Sequence, residues 1–202
     1  MTYRLTTTPT LLHVLGPQGS GKGTQVALLN AVLNVALPVI TMGQVFRDEI
    51  AKSTVRGQQI KAIIDPGGKV PAALWEPILR DYLATLDLSN GALLDGVVRD
   101  INQLNAFERL RSEQGLPEPY VLAIQVPEEE SIKRLLLRGR HDDTEAAIHR
   151  RLAWSQAEVE PVIDLYITHG RTIYVNGLGS VDTIHDRIIS KLVIAGLLTP
   201  LT

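Results

Sequence analysis

The nine residues Gly16-Pro17-Gln18-Gly19-Ser20-Gly21-Lys22-Gly23-Thr24 set four glycines and one lysine between an apolar run, Leu11 to Leu15, and a helical pattern that begins at Gln25. Strand, glycine-rich turn and helix in that order is the setting in which a backbone wraps phosphate oxygens. Glycines let successive N–H groups turn inward, and the helix N-terminus adds its partial positive charge. Lys22 neutralises a transferring group, and the Thr24 hydroxyl suits a magnesium ion bridging the phosphates. A glycine and a Gly-Lys pair at this spacing arise by chance in about one chain in twenty, and the added glycines at 19 and 23 lower that about two-hundredfold. An ordinary strand-to-helix turn needs neither the lysine nor so many glycines.

Such a loop has to be carried by a sheet. Five short β-branched and leucine-rich runs read as buried strands: Leu11 to Leu15, Pro38 to Thr41, Ala92 to Asp95, Tyr120 to Val126 and Thr172 to Asn176. Helical patterns alternate with them at Gln25 to Leu33, Trp75 to Leu86, Leu104 to Arg111, Glu129 to Leu137 and Thr144 to Ile167. This alternation predicts an α/β fold, a parallel sheet with helices on both faces. Gly43 to Leu86 holds more helix than one crossover needs, so part of it is expected to protrude as a substrate-binding insertion over about 42–86. Arg138 to Asp142 is a minimal link between two helices, with Gly139 its freely turning residue. With no repeat and no low-complexity tract, residues 1–202 read as one domain.

Composition removes several classes of function. A formal net charge of −2 gives no basic excess to hold a nucleic-acid backbone, so an anionic ligand must be held by a local cluster. The absence of cysteine excludes disulfides, thiol nucleophiles and thiolate zinc sites, and suits a reducing compartment. MTYRLTTTPT has no basic stretch followed by a long apolar run, and no run of about eighteen apolar residues occurs. The expectation is a cytoplasmic monomer without nucleic-acid or membrane partners. The Thr-rich start reads equally as a frayed end or, with Arg4, as a targeting remnant. Histidines 13, 141, 149, 169 and 185 lack metal-ligand or triad spacing and are expected on the surface or in strands. Trp75 and Trp154 read as packing residues.

The generic loop has Ser or Thr directly after the lysine. Here Gly23 intervenes, and GSGKGTQ from Gly19 to Gln25 resembles the adenylate kinase family. Ile40 to Arg47 resembles that family's monophosphate-binding segment, Gly67 with Val70-Pro71 its adenine-facing loop, and Leu94-Asp95-Gly96-Val97-Val98-Arg99 with Gln103 its next motif. Arg138 to Asp143 with Arg151 resembles its lid, and the likeness runs from about residue 11 to 190. The resemblance implies a P-loop NTPase-type five-stranded parallel sheet flanked by helices, with a helical NMP-binding insertion and a very short lid at about 138–143. It implies transfer of a phosphoryl group from Mg2+-bound ATP to AMP, giving two ADP. By resemblance, Gly16, Gly19, Ser20, Gly21, Lys22, Gly23, Thr24 and Gln25 contact ATP, Arg134 stacks on its adenine, and Gly177 and Leu178 offer backbone contacts to that base. The acceptor falls to Thr41, Met42, Arg47, Val70, Gly96, Arg99 and Gln103. Lys22, Arg99, Arg138, Arg140 and Arg151 carry the charge of the transfer, and Thr24 and Asp95, the latter through a water, hold the metal.

The chemistry of these residues agrees. Transfer between two nucleotides gathers negative charge and needs cations from three directions. No side-chain base is required, because a monophosphate with a second pKa near 6 is already largely dianionic at neutral pH. Three positions depart from the family pattern. Gln44 replaces an Asp near the magnesium waters, and Met42 replaces a Thr that faces the acceptor base. Val98 replaces a proline often in a cis bond; cis at Val97-Val98 costs about 2.5 to 4 kcal/mol, so Arg99 is expected to be presented differently. Gln103 offers a donor and an acceptor to an adenine edge, which favours AMP over UMP or CMP.

The departures leave open a second reading, an adenylate-kinase-like nucleotide-binding or interaction protein with weakened catalysis. A small-molecule kinase shares the loop but does not require Arg47, Arg99 and Gln103 together. Asp142 either caps the helix that follows, with Glu145 as capping-box partner, or orients the lid arginines. So short a lid, in a chain without cysteine, has no room for zinc.

Overall fold

Five aliphatic runs form one parallel sheet because helices cover both of its faces and leave neither wet. The computed structural model describes residues 1–65, 68–138 and 145–201, without the side chains of residues 146, 147, 150, 151 and 154–156. In chain order the elements are β1 (Tyr3–Leu5), β2 (Thr10–Leu15), α1 (Lys22–Val32), β3 (Val39–Thr41), α2 (Met42–Ala51), α3 (Val55–Ile64), α4 (Ala72–Leu83), β4 (Gly91–Asp95), α5 (Ile101–Glu113), β5 (Tyr120–Gln125), α6 (Glu128–Arg138), α7 (Glu145–Thr168), β6 (Thr172–Asn176), α8 (Val181–Ile194) and β7 (Leu198–Pro200). The main sheet has the order β3-β4-β2-β5-β6, with every pairing parallel. All six residues of the central strand β2 are buried.

The pleat divides the core. Leu11 and Leu15 pack with residues of α2, α3, α4, α5 and α7, whereas Leu12 and Val14 pack with α1 and α8. Every crossover leaves from the C-terminal edge of the sheet, where open parallel sheets bind ligands. That edge carries the glycine loop after β2, with Thr41 ending β3, Asp95 ending β4 and Asn176 ending β6. Three helices, α2 to α4, fill the connection between β3 and β4, as the surplus of helical pattern there predicts.

Boundaries differ where caps decide them. Helix α1 starts at Lys22 rather than Gln25, because Gly21 turns the chain in the left-handed region (φ 89°) directly before it. Helix α4 runs from Ala72 and stops at Leu83, short of the expected Leu86. Tyr3–Leu5, in the start that reads either as a frayed end or as a targeting remnant, pairs antiparallel with Leu198–Pro200. Helix α8, absent from the sequence reading, buries Ile184, Ile188, Ile189 and Leu192 on one face, and its Ser180 cap accepts from the Thr183 N–H at 3.1 Å. The Gly139 to Asp143 link and Gly67 lie outside the described residues.

Candidate active site

The glycine loop is shaped by what it touches. A Cβ on Gly16 would stand 2.3 Å from the Ile124 carbonyl oxygen, and one on Gly19 2.7 Å from that of Ser131, so both positions exclude a side chain. Gly21 caps α1 without any side-chain hydrogen bond, which leaves the first-turn N–H groups to a ligand. Lys22 folds over the loop, its Nζ donating to the carbonyls of Gly16 and Pro17, both at 2.8 Å. Burial around that ammonium lowers its pKa to about 8; Asp95 opposes the shift, while Arg99 and Arg138 add to it. Burial also raises Asp95 above the usual carboxylate range, against the pull of Lys22 and Arg99.

The segment after β4 is pinned at its backbone. The Gly96 N–H donates to Val14 O at 3.1 Å, and the Arg99 N–H to Gln103 Oε1 at 2.9 Å. Arg99 Nε donates to Gly96 O at 3.2 Å, and the guanidinium opens to the cleft. The Val97-Val98 bond is trans; among the described residues the cis bond is Thr8-Pro9. From α2, Arg47 gives Nη2 and Nε to Gln44 Oε1 at 2.7 and 3.3 Å, so the glutamine at the departed position acts as a neutral acceptor for an arginine. On the other wall, Arg134 donates to Glu130 Oε1 at 2.7 Å and to Gly177 O at 2.9 Å, which fixes its guanidinium plane beside the turn after β6.

These groups line one cleft of about 910 Å³. Of the residues expected to act, Gly16, Gly19, Gly21, Lys22, Gly23, Thr24, Gln25, Thr41, Arg47, Asp95, Gly96, Arg99, Arg134 and Arg138 line it. Ser20, Met42, Val70 and Gln103 are buried behind its walls, Met42 in the core of the sheet face that carries α2. Gln25 reaches the cleft but spends its Nε2 on Val181 O at 2.9 Å. Leu178 lines an adjoining pocket of about 700 Å³ shared with Gly16 and Pro17, and Gly177 is buried. Arg140 and the side chain of Arg151 lie outside the described residues. The sequence reading missed Glu130 and Val181; Glu130 was signalled by its position four residues before Arg134 on a helical pattern. Among the described residues no group of His, Asp and Glu gathers to hold a metal unaided.

A glycine loop at the end of the central parallel strand, with cations entering from α2, α6 and the β4 edge, defines a P-loop protein of the nucleotide-kinase class. The family model described as adenylate kinase matches residues 14–171, and the chain belongs to the adenylate kinase family. It is 38% identical over 185 residues to the adenylate kinase of Bifidobacterium longum (strain NCC 2705), covering 90% of this chain and 98% of that protein. The adenylate kinase of Corynebacterium urealyticum (strain ATCC 43042 / DSM 7109) is 38% identical over 181 residues, with the same coverage. That of Leptospira biflexa serovar Patoc (strain Patoc 1 / Ames) is 36% identical over 185 residues, again 90% and 98%.

Proposed function

We propose that the chain is a phosphotransferase that moves the γ-phosphoryl group of ATP to AMP, reversibly, giving two ADP. Charge is the observation that carries this reading. The chain is net negative at −2, yet Lys22, Arg47, Arg99, Arg134 and Arg138 all reach one cleft, against the carboxylates of Asp95 and Glu130. An oxygen of the AMP phosphate forms the new bond to the γ-phosphorus as the bond from that phosphorus to the β–γ bridging oxygen breaks. The loop N–H groups and Lys22 hold the donor phosphates, Arg47 and Arg99 the acceptor phosphate, and Arg138, with Arg140 and Arg151, closes over the donor. Position and electrostatics carry the rate, since the acceptor oxygen is already ionised.

A magnesium ion fits the donor set beside the loop. Thr24 offers a hydroxyl in the first turn of α1, and a Cβ on Gly23 would stand 3.3 Å from Asp95 Oδ2, so the glycine keeps room beside that carboxylate. Hard oxygen donors of this kind suit magnesium, held by Thr24 directly and by Asp95 through water. Bound there, the ion draws charge from the phosphates.

AMP is the acceptor in this reading because of Gln103. Its Oε1 takes the Arg99 N–H and its Nε2 gives one hydrogen to Val70 O at 3.4 Å, which leaves one lone pair and one N–H of the amide. That remainder is a donor and an acceptor together, which an adenine edge needs; Gln103 is 4% exposed behind the cleft wall, so the adenine meets it only once the wall residues shift on binding. The reading takes the chain as a cytoplasmic monomer, in keeping with the absence of cysteine; dimers in sedimentation contradict that part. The test of the transfer is single-turnover passage of label from γ-labelled ATP to AMP, and no transfer above that of Arg99→Ala rules it out.

A further inference from the structure

His13 stands in the middle of β2 with 0% of its surface exposed, in a strand whose Leu11, Leu12, Val14 and Leu15 serve packing. A polar ring in so dry a place is costly unless it is used. Its Nε2 lies 3.4 Å from the backbone nitrogen of Val98, a residue 85 positions away that is itself 0% exposed. The Val98 N–H has no access to water there, and an unpaired buried N–H is expensive.

To accept from Val98, Nε2 must be unprotonated, so the neutral ring carries its hydrogen on Nδ1. Burial lowers the pKa of His13 to about 3, which keeps the ring neutral through the physiological range. Among the described residues Nδ1 has no hydrogen-bond partner. A leucine at this position would carry no such orphan; the Val98 contact is what the histidine adds. The rings of Phe107 from α5 and Tyr166 from α7, each with its centroid 6.3 Å away, hold the imidazole in place.

The position of the contact decides its meaning. Strand β2 runs directly into the glycine loop two residues after Val14, and Val98 immediately precedes Arg99. The Gly96 and Arg99 N–H groups are held by Val14 O and Gln103 Oε1, and His13 supplies the anchor between them. We propose that His13 is a positioning residue whose unprotonated Nε2, by receiving the Val98 N–H, sets where the Arg99 guanidinium stands relative to the phosphate loop. It joins the strand that presents the donor loop to the segment that presents the acceptor arginine, and rests on the acceptor role given above to Arg99.

His13→Leu removes the acceptor at similar volume, His13→Gln puts an amide oxygen near the place of Nε2, and Val98→Pro removes the donor. His13→Leu is expected to raise the KM for AMP about tenfold while the KM for ATP stays within about twofold, the scale of one lost buried hydrogen bond. His13→Gln recovers most of that loss, and His13→Leu adds nothing further in a Val98→Pro background. Equal shifts in both KM values, wild-type kinetics in His13→Leu, or the same loss with and without Val98→Pro overturns the proposal. Nitrogen-15 spectra of the native protein give a reading independent of folding variants: the Nδ1–H tautomer at pH 7 supports it, and an Nε2–H tautomer or imidazolium overturns it. Arg99→Ala separates the two layers. If it leaves the KM for AMP unchanged, the acceptor role of Arg99 fails; if it raises that KM and His13→Leu does not, the His13 proposal alone fails.

Discussion

The backbone N–H of Arg99 donates to Oε1 of Gln103 at 2.9 Å, so the side chain assigned to the acceptor base also fixes the residue assigned to the acceptor phosphate. In the proposed reading, base and phosphate recognition share one amide. Gln103→Leu is expected to raise the KM for AMP and to lower kcat, each by about tenfold, with the KM for ATP unchanged, because it orphans the Arg99 N–H. Steady-state kinetics with each substrate varied in turn check this; a change confined to KM for AMP means the glutamine reads the base without placing Arg99.

Lys22 predicts an alkaline limit. Its folded pKa of about 8 means that it is cationic below that pH and loses its charge as pH rises through it. kcat/KM for ATP, which reports the free protein, should fall above about pH 8. Lys22→Arg, whose guanidinium stays charged, should be slower but should lose this limb. A profile of the native protein flat to pH 10 contradicts the assignment.

Glu49 ties α2, α3 and α4 together. Its buried carboxylate takes Arg56 at 2.6 Å and Lys52 at 2.7 Å, and Arg56 continues to Asp81 of α4 at 2.8 Å. The Arg56 hydrogen bond, ahead of the opposing burial and the Lys52 contact, holds its pKa down to about 2. A folded pKa below the unfolded one gives stability that is present above the ordinary carboxylate range and is lost as pH falls toward 2. Glu49→Gln should cost about 2 kcal/mol at pH 7 in denaturant unfolding, and the gap to the native protein should shrink with acid. A gap independent of pH contradicts this.

Arg134 is tied to both Glu130 and the Gly177 carbonyl, a pair of bonds that a lysine ammonium cannot make in one plane. Arg134→Lys should raise the KM for ATP about tenfold and leave that for AMP unchanged. Equal effects on both nucleotides remove Arg134 from the donor base.

The sequence made the sheet legible because a strand buried on both faces announces itself as an unbroken apolar run, as Leu11 to Leu15 does. The loop was equally plain, since its glycines and lysine act within nine residues of each other. Pairings across the chain were not. Tyr3–Leu5 is three residues long and meets its partner at Leu198–Pro200, and no local pattern carries that register. Helix α8 has its signals in the sequence, the Ser180 cap and the spacing of Ile184, Ile188 and Leu192. Met42 illustrates a different limit: its residue type did not say whether it would face the base or the core, and packing put it in the core with 3% exposure. Sequence alone places His13 on the surface or in a strand, because its acceptor role depends on Val98, far off in sequence.

The most direct test mixes magnesium-ATP with AMP, UMP, CMP or GMP at equal concentration and follows ADP, beside Lys22→Met. Transfer to AMP with kcat/KM at least about tenfold above the other acceptors, and lowered about a thousandfold by Lys22→Met, is the predicted result. ADP formation no faster than in Lys22→Met for every acceptor, or UMP or CMP preferred to AMP, contradicts the account.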